Sequence, residues 1–416
     1  MTPTQLRQSA QEVLEENILA YWLKLRDMKR GGFYGQVTGD ELLVPDASRG
    51  AVLNARILWS FASAYRVLKS KVESQKSKAY LQAAQEAKRY IEEHFIDKEF
   101  GGCYWSVTAD GEALDTKKQT YAIAFTIYGL SEYARATDDQ EALNVAIRLF
   151  HDIEAHAFDA EGIGYVEALT RDWQPIADMR LSEHDENGSR TMNTHLHVLE
   201  AYTSLLRTLK SKVESQKSKA YLDVKNNVQR QLRILIRIFA TCIYNAQTGH
   251  LGLFFDDAWQ PIASRHNESP GHDIEAAWLL TEALEVLGDE AFTAELMPIV
   301  RHIARASEDG IFAETQWWTY CEAVIGYVDQ WQHLLVESRK SKVERNVVEN
   351  RAEKYWQLAE RAYQFITDKL IDREHGEWFW EILPDGTPNR KEDKAGFWKC
   401  PYHNSRMCME LIERLD

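Results

Sequence analysis

The chain has 416 residues, 44% hydrophobic and 27% charged, a globular composition too apolar for a disordered polypeptide. A formal charge of −15 and an isoelectric point near 5.4 set its field against nucleic acid and anionic membrane surfaces, so neither is expected as a partner. Nothing in composition marks a linker or boundary, so one domain over residues 1–416 is expected.

The opening stretch, MTPTQLRQSAQEVLEENI, is polar and acidic where a secretory leader needs a basic and then an apolar run. With no apolar run long enough to span a bilayer, a cytoplasmic protein is expected. A first helix is predicted here, ending before GGFYGQV at Gly31. The same pattern, glycine followed by alternating aromatic or apolar residues, returns as GGCYWSV from Gly101, GIGYVEAL from Gly162, LGLFFD from Leu251, GIFAET from Gly310 and GEWFWEI from Gly376. The copies lie roughly 60 to 90 residues apart, and each predicts a short strand or hairpin, because alternation with period two is a strand pattern.

Between successive copies lie two segments of helical periodicity, such as AVLNARILWSFASAYRVL then AYLQAAQEAKRYIEEHF. With the first helix and the final CPYHNSRMCMELIERL, this predicts twelve paired helices. Segments rich in small and apolar residues (AVLNARILWS, HDIEAAWLLTEAL) suit an inner ring, and their amphipathic partners an outer one. LKSKVESQKSKAYL occurs unchanged from Leu68 and from Leu209, with a fragment, RKSKVER, from Arg339. All three follow an inner helix and are expected as solvated loop insertions on the rim away from the glycine-aromatic loops. A monomer or a weak homodimer is expected. Five widely spaced cysteines without a C-x-x-C pair read as reduced thiols.

The unusual polar residues gather near the N-terminal ends of the inner helices: Arg56, Tyr121, Asn193, His197, His272, Glu275, Trp318, Glu322 and His403. A ring of such helices brings these ends onto one face, where helix N-termini favour negative charge developing on oxygen. His195 and His197 resemble a metal pair, but residues two apart on a helix point about 160° away from one another, so no metal is expected and His195 is read as a packing residue. Arg56 within ARILW would be costly to bury unpaired, which favours a pocket role. Glu183, Asp185 and Glu186 in LSEHDENGSR read as a polar loop without a role.

Almost end to end, the stretches GGFYG, ARILW, KQTYAIAF, TMNTHLHVLEAYT, GHDIEAAWL, QWWTYCEAV and FWKCPYHNSRMCME resemble the N-acylglucosamine 2-epimerase superfamily, and within it the cellobiose 2-epimerases. The resemblance implies an all-α (α/α)6 barrel and a cofactor-independent aldose 2-epimerase. It also implies catalysis by His197, His272 and His403, with Arg56 assisting. Removing and returning the proton on carbon 2 needs two groups that act as acid and base near neutrality, which suits His272 and His403. Arg56 and His197 would then stabilise the enediolate oxygens. Tyr121, Asn193, Glu275 and Glu322 are candidate sugar-hydroxyl contacts, and Trp318 and Trp398 candidate stacking faces.

The chain departs from the cellobiose pattern, WW-x-Q-A-E after a longer loop, in its short DGIFAETQ and in Tyr320 and Cys321. On that ground mannose–glucose interconversion is expected ahead of cellobiose epimerisation. Alternatives are an aldose–ketose isomerase returning the proton to carbon 1, an N-acetylglucosamine epimerase, a glycoside hydrolase working through Glu275 and Glu322, and a sugar-binding protein. A recognisable phosphate loop for a nucleotide effector is lacking.

Overall fold

The computed structural model describes residues 1–69, 75–216, 219–264, 268–340 and 345–416. The first helix runs as α1 (Pro3–Glu12), a π-helical stretch Val13–Ile18, and α2 (Leu19–Lys24). It is followed by α3 (Ala51–Lys69), α4 (Gln75–Tyr90), α5 (Thr120–Thr137), α6 (Gln140–His156), α7 (Met192–Gln216) and α8 (Lys219–Ile238). Then come α9 (Pro270–Leu287), α10 (Glu290–Ala306), α11 (Trp317–Lys340), α12 (Arg345–Phe365) and α13 (Tyr402–Arg414). Counting α1 and α2 as one continuous helix, twelve helices stand among the described residues.

Six of them close a ring: α3 packs on α5, α5 on α7, α7 on α9, α9 on α11, α11 on α13, and α13 back on α3. The others form an outer layer, α4 on α3, α6 on α5, α8 on α7, α10 on α9, α12 on α11, and the N-terminal helix on the C-terminal α13. The chain is thus an (α/α)6 barrel closed by its own two ends. Inner helices are covered on nearly every side, and α5 is buried without a break from Thr120 to Ala134. Glycines let two ring neighbours approach closely. A Cβ on Gly129 would stand 2.6 Å from the Ala55 carbonyl oxygen, and one on Gly326 would stand 2.4 Å from Ile274. Outer helices bury one stripe, as α8 does with Val228, Leu232, Leu235 and Ile236. No helix of the described residues is long and apolar enough to cross a membrane.

Each glycine-aromatic loop connects the end of an outer helix to the start of an inner one. Antiparallel bridges Arg26–Phe33, Ile96–Cys103, Tyr244–Leu251 and Ile371–Trp378, and the strand pair Phe158–Asp159 with Gly164–Tyr165, form hairpins at five of the six copies. Three of these turns share one device, a buried aspartate held by a lysine or arginine. The pairs are Asp27 with Arg49 at 2.6 Å, Asp97 with Lys118 at 2.8 Å, and Asp372 with Lys394. The copy at Gly310 departs from the expectation. Ile311–Ala313 forms a 3-10 turn, and Gly310 lies against the ring of Pro270, which leaves no room for a side chain there.

The two KSKVESQKSK segments and the fragment after Arg339 lie partly outside the described residues. Their described parts end α3, α7 and α11 or begin α4, α8 and α12, at the C-terminal ends of inner helices and so opposite the hairpins.

Candidate active site

The N-terminal ends of all six inner helices border a cavity of about 610 Å³. Nine of the ten site residues expected from sequence line it: Arg56, Tyr121, Asn193, His197, His272, Glu275, Trp318, Trp398 and His403. Glu322 is the exception. It is fully buried beneath the cavity floor, where a sugar hydroxyl does not reach it, and its oxygens are taken up by His403, Arg406 and Trp278. The cavity is completed by Leu181 to Asp185, from the polar loop whose Glu183 and Asp185 were expected to have no role, and by Gln316, Trp317, Trp380 and Glu392, which sequence reasoning passed over.

Of the four histidines that line the cavity, the three on inner helices are each anchored through Nδ1. His403 meets Glu322 Oε1 at 2.7 Å, His197 meets Glu200 Oε2 at 2.9 Å, and His272 meets Ser269 Oγ at 2.7 Å. A carboxylate only accepts, so at His403 and His197 the proton sits on Nδ1 and Nε2 keeps its lone pair. Burial pushes His197 and His272 down to about 4, and burial next to Arg56 and Arg406 puts His403 well below the ordinary imidazole range. All three are therefore neutral near pH 7. Trp318 is in ring contact with both His272, at 4.7 Å between centroids, and His403, at 5.8 Å. His195 is sealed in the core, with Nδ1 donating to the Thr191 carbonyl at 2.7 Å and Nε2 accepting from the Tyr165 amide at 3.0 Å. Both of its nitrogens are spent on backbone.

Beneath the floor lies a charge cluster centred on Arg406. Its Nη1 bonds Glu200, and its Nη2 donates to Glu275 Oε1 and to Glu322 Oε1, each at 2.7 Å. One guanidinium cannot neutralise three carboxylates in a desolvated site. Burial acts to raise Glu200, but Arg406 and His197 outweigh it and hold this carboxylate at about 2. Burial raises Glu275 and Glu322, and Arg406 only partly offsets it. Glu275, Glu322 and His403 offer ligand atoms within 4.8 Å of one another, but the place a cation would take between the two carboxylates is filled by Arg406. A second group among the described residues, Glu41, Asp372 and His375, likewise already holds the Lys394 ammonium.

Arg56 projects from α3 with its guanidinium carbon 4.1 Å from the Phe125 ring centroid and 4.5 Å from that of Tyr402. Its Nη2 donates to the Tyr121 hydroxyl at 2.8 Å, and its Nε has no protein partner. The Asn193 Oδ1 is also unpartnered. Buried polar atoms left in this state favour a ligand that supplies the missing bonds. The assembly combines neutral imidazole bases, a fixed cation and an aromatic platform in one cleft.

The sequence model of the N-acylglucosamine 2-epimerase (GlcNAc 2-epimerase) family matches residues 31–406. The chain belongs to this family. The cellobiose 2-epimerase of Bacteroides fragilis is 46% identical to it over 98% of both chains. The solved structure of cellobiose 2-epimerase from Bacillus thermoamylovorans B4167 superposes with a TM-score of 0.82 at 35% identity, covering 99% of this chain and all of the other. That of Spirochaeta thermophila DSM 6192 gives 0.83 at 34% identity, covering 100% of this chain and 97% of the other. The protein is a carbohydrate epimerase, of the isomerase class.

The expectation of a monosaccharide rested on the short DGIFAETQ loop together with Tyr320 and Cys321, and within the family fold these two residues stay clear of the cavity. Tyr320 stacks on Phe365 with centroids 4.1 Å apart and donates to the Glu314 carbonyl at 2.9 Å, and Cys321 is fully buried. For Tyr320 the signal was in the sequence, since a residue two beyond Trp318 falls on another face of the helix; Cys321, three beyond, shares the Trp318 face and is set apart by depth.

Proposed function

We propose that this epimerase inverts carbon 2 of the reducing-end glucose of cellobiose and related β-1,4-linked disaccharides, through a cis-enediol, without a cofactor. The observation that carries the reaction type is the pair His272 and His403, both on one cavity, both held at Nδ1 and both against Trp318. The choice of a disaccharide over mannose is supported by the end-to-end similarity to cellobiose 2-epimerases, and by the positions of Tyr320 and Cys321 outside the cavity.

The open-chain aldehyde lies with carbon 2 near both imidazoles. One of them, neutral, takes the C2 proton, and the C–H electron pair becomes the C1–C2 double bond as charge moves onto O1. The other, which takes up a proton from solvent as the sugar binds, returns it to carbon 2 on the opposite face, and the double bond reforms at C1–O1. The pair carries one proton before and after turnover and two while the enediolate stands between them, and the imidazoles exchange roles between the two directions. Burial holds the free imidazoles neutral, and the enediolate formed between them favours the imidazolium. Arg56 donates to O1 as negative charge develops there, and the neutral His197, with its proton on Nδ1, accepts from the O2 hydroxyl through Nε2. Glu275 faces the cleft and receives a sugar hydroxyl, Tyr121 and Asn193 bond others, and Trp318 and Trp398 provide stacking faces.

Hydrolysis through Glu275 and Glu322 is disfavoured, because a glycosidase needs both carboxyls at the scissile bond and Glu322 is sealed below the floor. Incubation of cellobiose in deuterium oxide tests the proposal. Glucosyl-mannose deuterated at carbon 2 is the expected first product. A ketose-ended first product overturns the epimerase chemistry, release of two monosaccharides points to a hydrolase, and higher kcat/KM on mannose overturns the disaccharide assignment.

A further inference from the structure

His272 stands on the first turn of α9, and the residue after it, Asp273, is buried and turned toward the hairpin bridged by Tyr244 and Leu251. Asp273 Oδ1 accepts the Leu251 amide at 3.0 Å and Oδ2 accepts Nδ1–H of His250 at 2.7 Å. Its own amide donates at 2.9 Å to the carbonyl of Ser269, whose hydroxyl is the partner of His272. The hairpin is in turn tied to the end of the outer layer, with the Gly252 amide donating to the Ile243 carbonyl at 2.9 Å. A continuous set of bonds thus runs from the outer layer through His250 and Asp273 to the turn that presents His272.

We propose that His250 is a positioning residue for the epimerisation: its hydrogen bond to Asp273 fixes the first turn of α9, and so the direction in which the His272 imidazole faces the cavity. This rests on the assignment of His272 to proton transfer. His250 is not among the residues that line the cavity. Without it, a carboxylate oxygen of Asp273 loses its donor in a desolvated site, and the turn relaxes toward whatever satisfies it. Proton transfer is sensitive to such relaxation, since a displacement of about 1 Å can cost up to about a hundredfold in rate. Glu268 stands on the far side of His250, 3.5 Å from Nε2, and the hydrogen bond to Asp273 raises His250 above the usual imidazole range. Nδ1–H is present in the cation and in the neutral tautomer that the carboxylate selects, so the clamp survives deprotonation.

The test compares cellobiose turnover by the parent, His250→Ala and His250→Asn with the ring-nitrogen NMR signals of His272 in the ligand-free proteins. An asparagine amide nitrogen occupies the place of Nδ1. His250→Ala is expected to lose at least about tenfold in kcat with KM within about twofold, and to shift the His272 ring signals. His250→Asn is expected to recover most of the rate and the parent signals. His250→Gln, whose amide lies one bond too far, replaces the alanine variant if that chain does not fold. The proposal is overturned if the alanine or glutamine variant keeps the parent's kcat and ring signals, or if asparagine is as impaired as alanine. A parent without turnover on every reducing sugar defeats the proposed function instead, and the ring signals then decide the role of His250 alone.

Discussion

Glu322 accepts the Nδ1–H of His403 at 2.7 Å while itself closed off from the cavity that His403 lines. A carboxylate in that position makes Nε2 the basic nitrogen on the substrate side and stabilises the imidazolium when it forms. Its other contacts, Arg406 and Trp278, are also donors, at 2.7 and 2.9 Å.

Glu322→Gln should therefore be severe although it removes no substrate contact. Turned toward His403, the NH2 meets the donors Arg406 and Nδ1–H and the preferred tautomer is lost; turned toward Trp278, it meets the indole N–H, and either way no carboxylate charge remains to stabilise the imidazolium. The expected result is a fall in kcat of about a hundredfold to a thousandfold with KM little changed. Steady-state kinetics on cellobiose check it, and a loss under about tenfold would remove Glu322 from the proton-transfer machinery.

His272→Ala and His403→Ala should each abolish net epimerisation, yet leave complementary half-reactions. Each variant retains one base, and so should wash out the C2 hydrogen of one epimer into deuterium oxide but not that of the other. The second variant should show the reverse. Proton NMR of the C2 position in both epimers reads this directly, and exchange from the same epimer in both variants would exclude a two-base mechanism.

Restoring the residues typical of cellobiose 2-epimerases, Tyr320→Gln with Cys321→Ala, should leave sugar preference alone. The ratio of kcat/KM for cellobiose over mannose is expected to stay within about twofold of the parent. Stability should fall, because the stacking of Tyr320 on Phe365 and its bond to Glu314 are each worth about 1 kcal/mol. Thermal unfolding and a two-sugar assay separate the two effects.

Glu167 offers a pH test close to the site. Its carboxyl is fully buried, with the hydroxyls of Thr194 and Thr191 donating at 2.6 and 2.8 Å and no cation among the described residues paired with it, and burial pushes it up to about 7. A carboxyl raised in the folded state contributes stability that is fully present below its unfolded value near 4.5 and is lost as pH rises through about 7. Glu167→Gln stays neutral throughout. It should match the parent near pH 4.5 and exceed it at pH 8, by on the order of 2–3 kcal/mol. Parallel melting-temperature curves across that range would show that Glu167 is not protonated by burial.

The pairing of helices was legible because it is local. Period-two alternation after glycine marks the hairpins, and the contrast between an all-round apolar helix such as α5 and a one-sided one such as α8 separates inner from outer. The same pattern set the polar residues at one end of each inner helix, which is why nine of ten candidates meet in the cavity. At Gly310 the local pattern misled, since packing against Pro270 replaced the hairpin with a 3-10 turn.

The sequence by itself determined which face of each inner helix looks into the barrel, because side-chain direction repeats every 3.6 residues. It left depth undetermined. Glu322 lies one turn beyond Trp318, Glu200 one turn beyond His197 and Arg406 one turn beyond His403, each on the same face as its partner yet below the floor. One turn advances about 5.4 Å along the axis, and only the closing of the ring decides where the cavity ends. The tertiary structure alone also brought Leu181 to Asp185 over the cleft and joined Glu200, Glu275 and Glu322 through Arg406. Those contacts link residues far apart in the chain, and no periodicity encodes them.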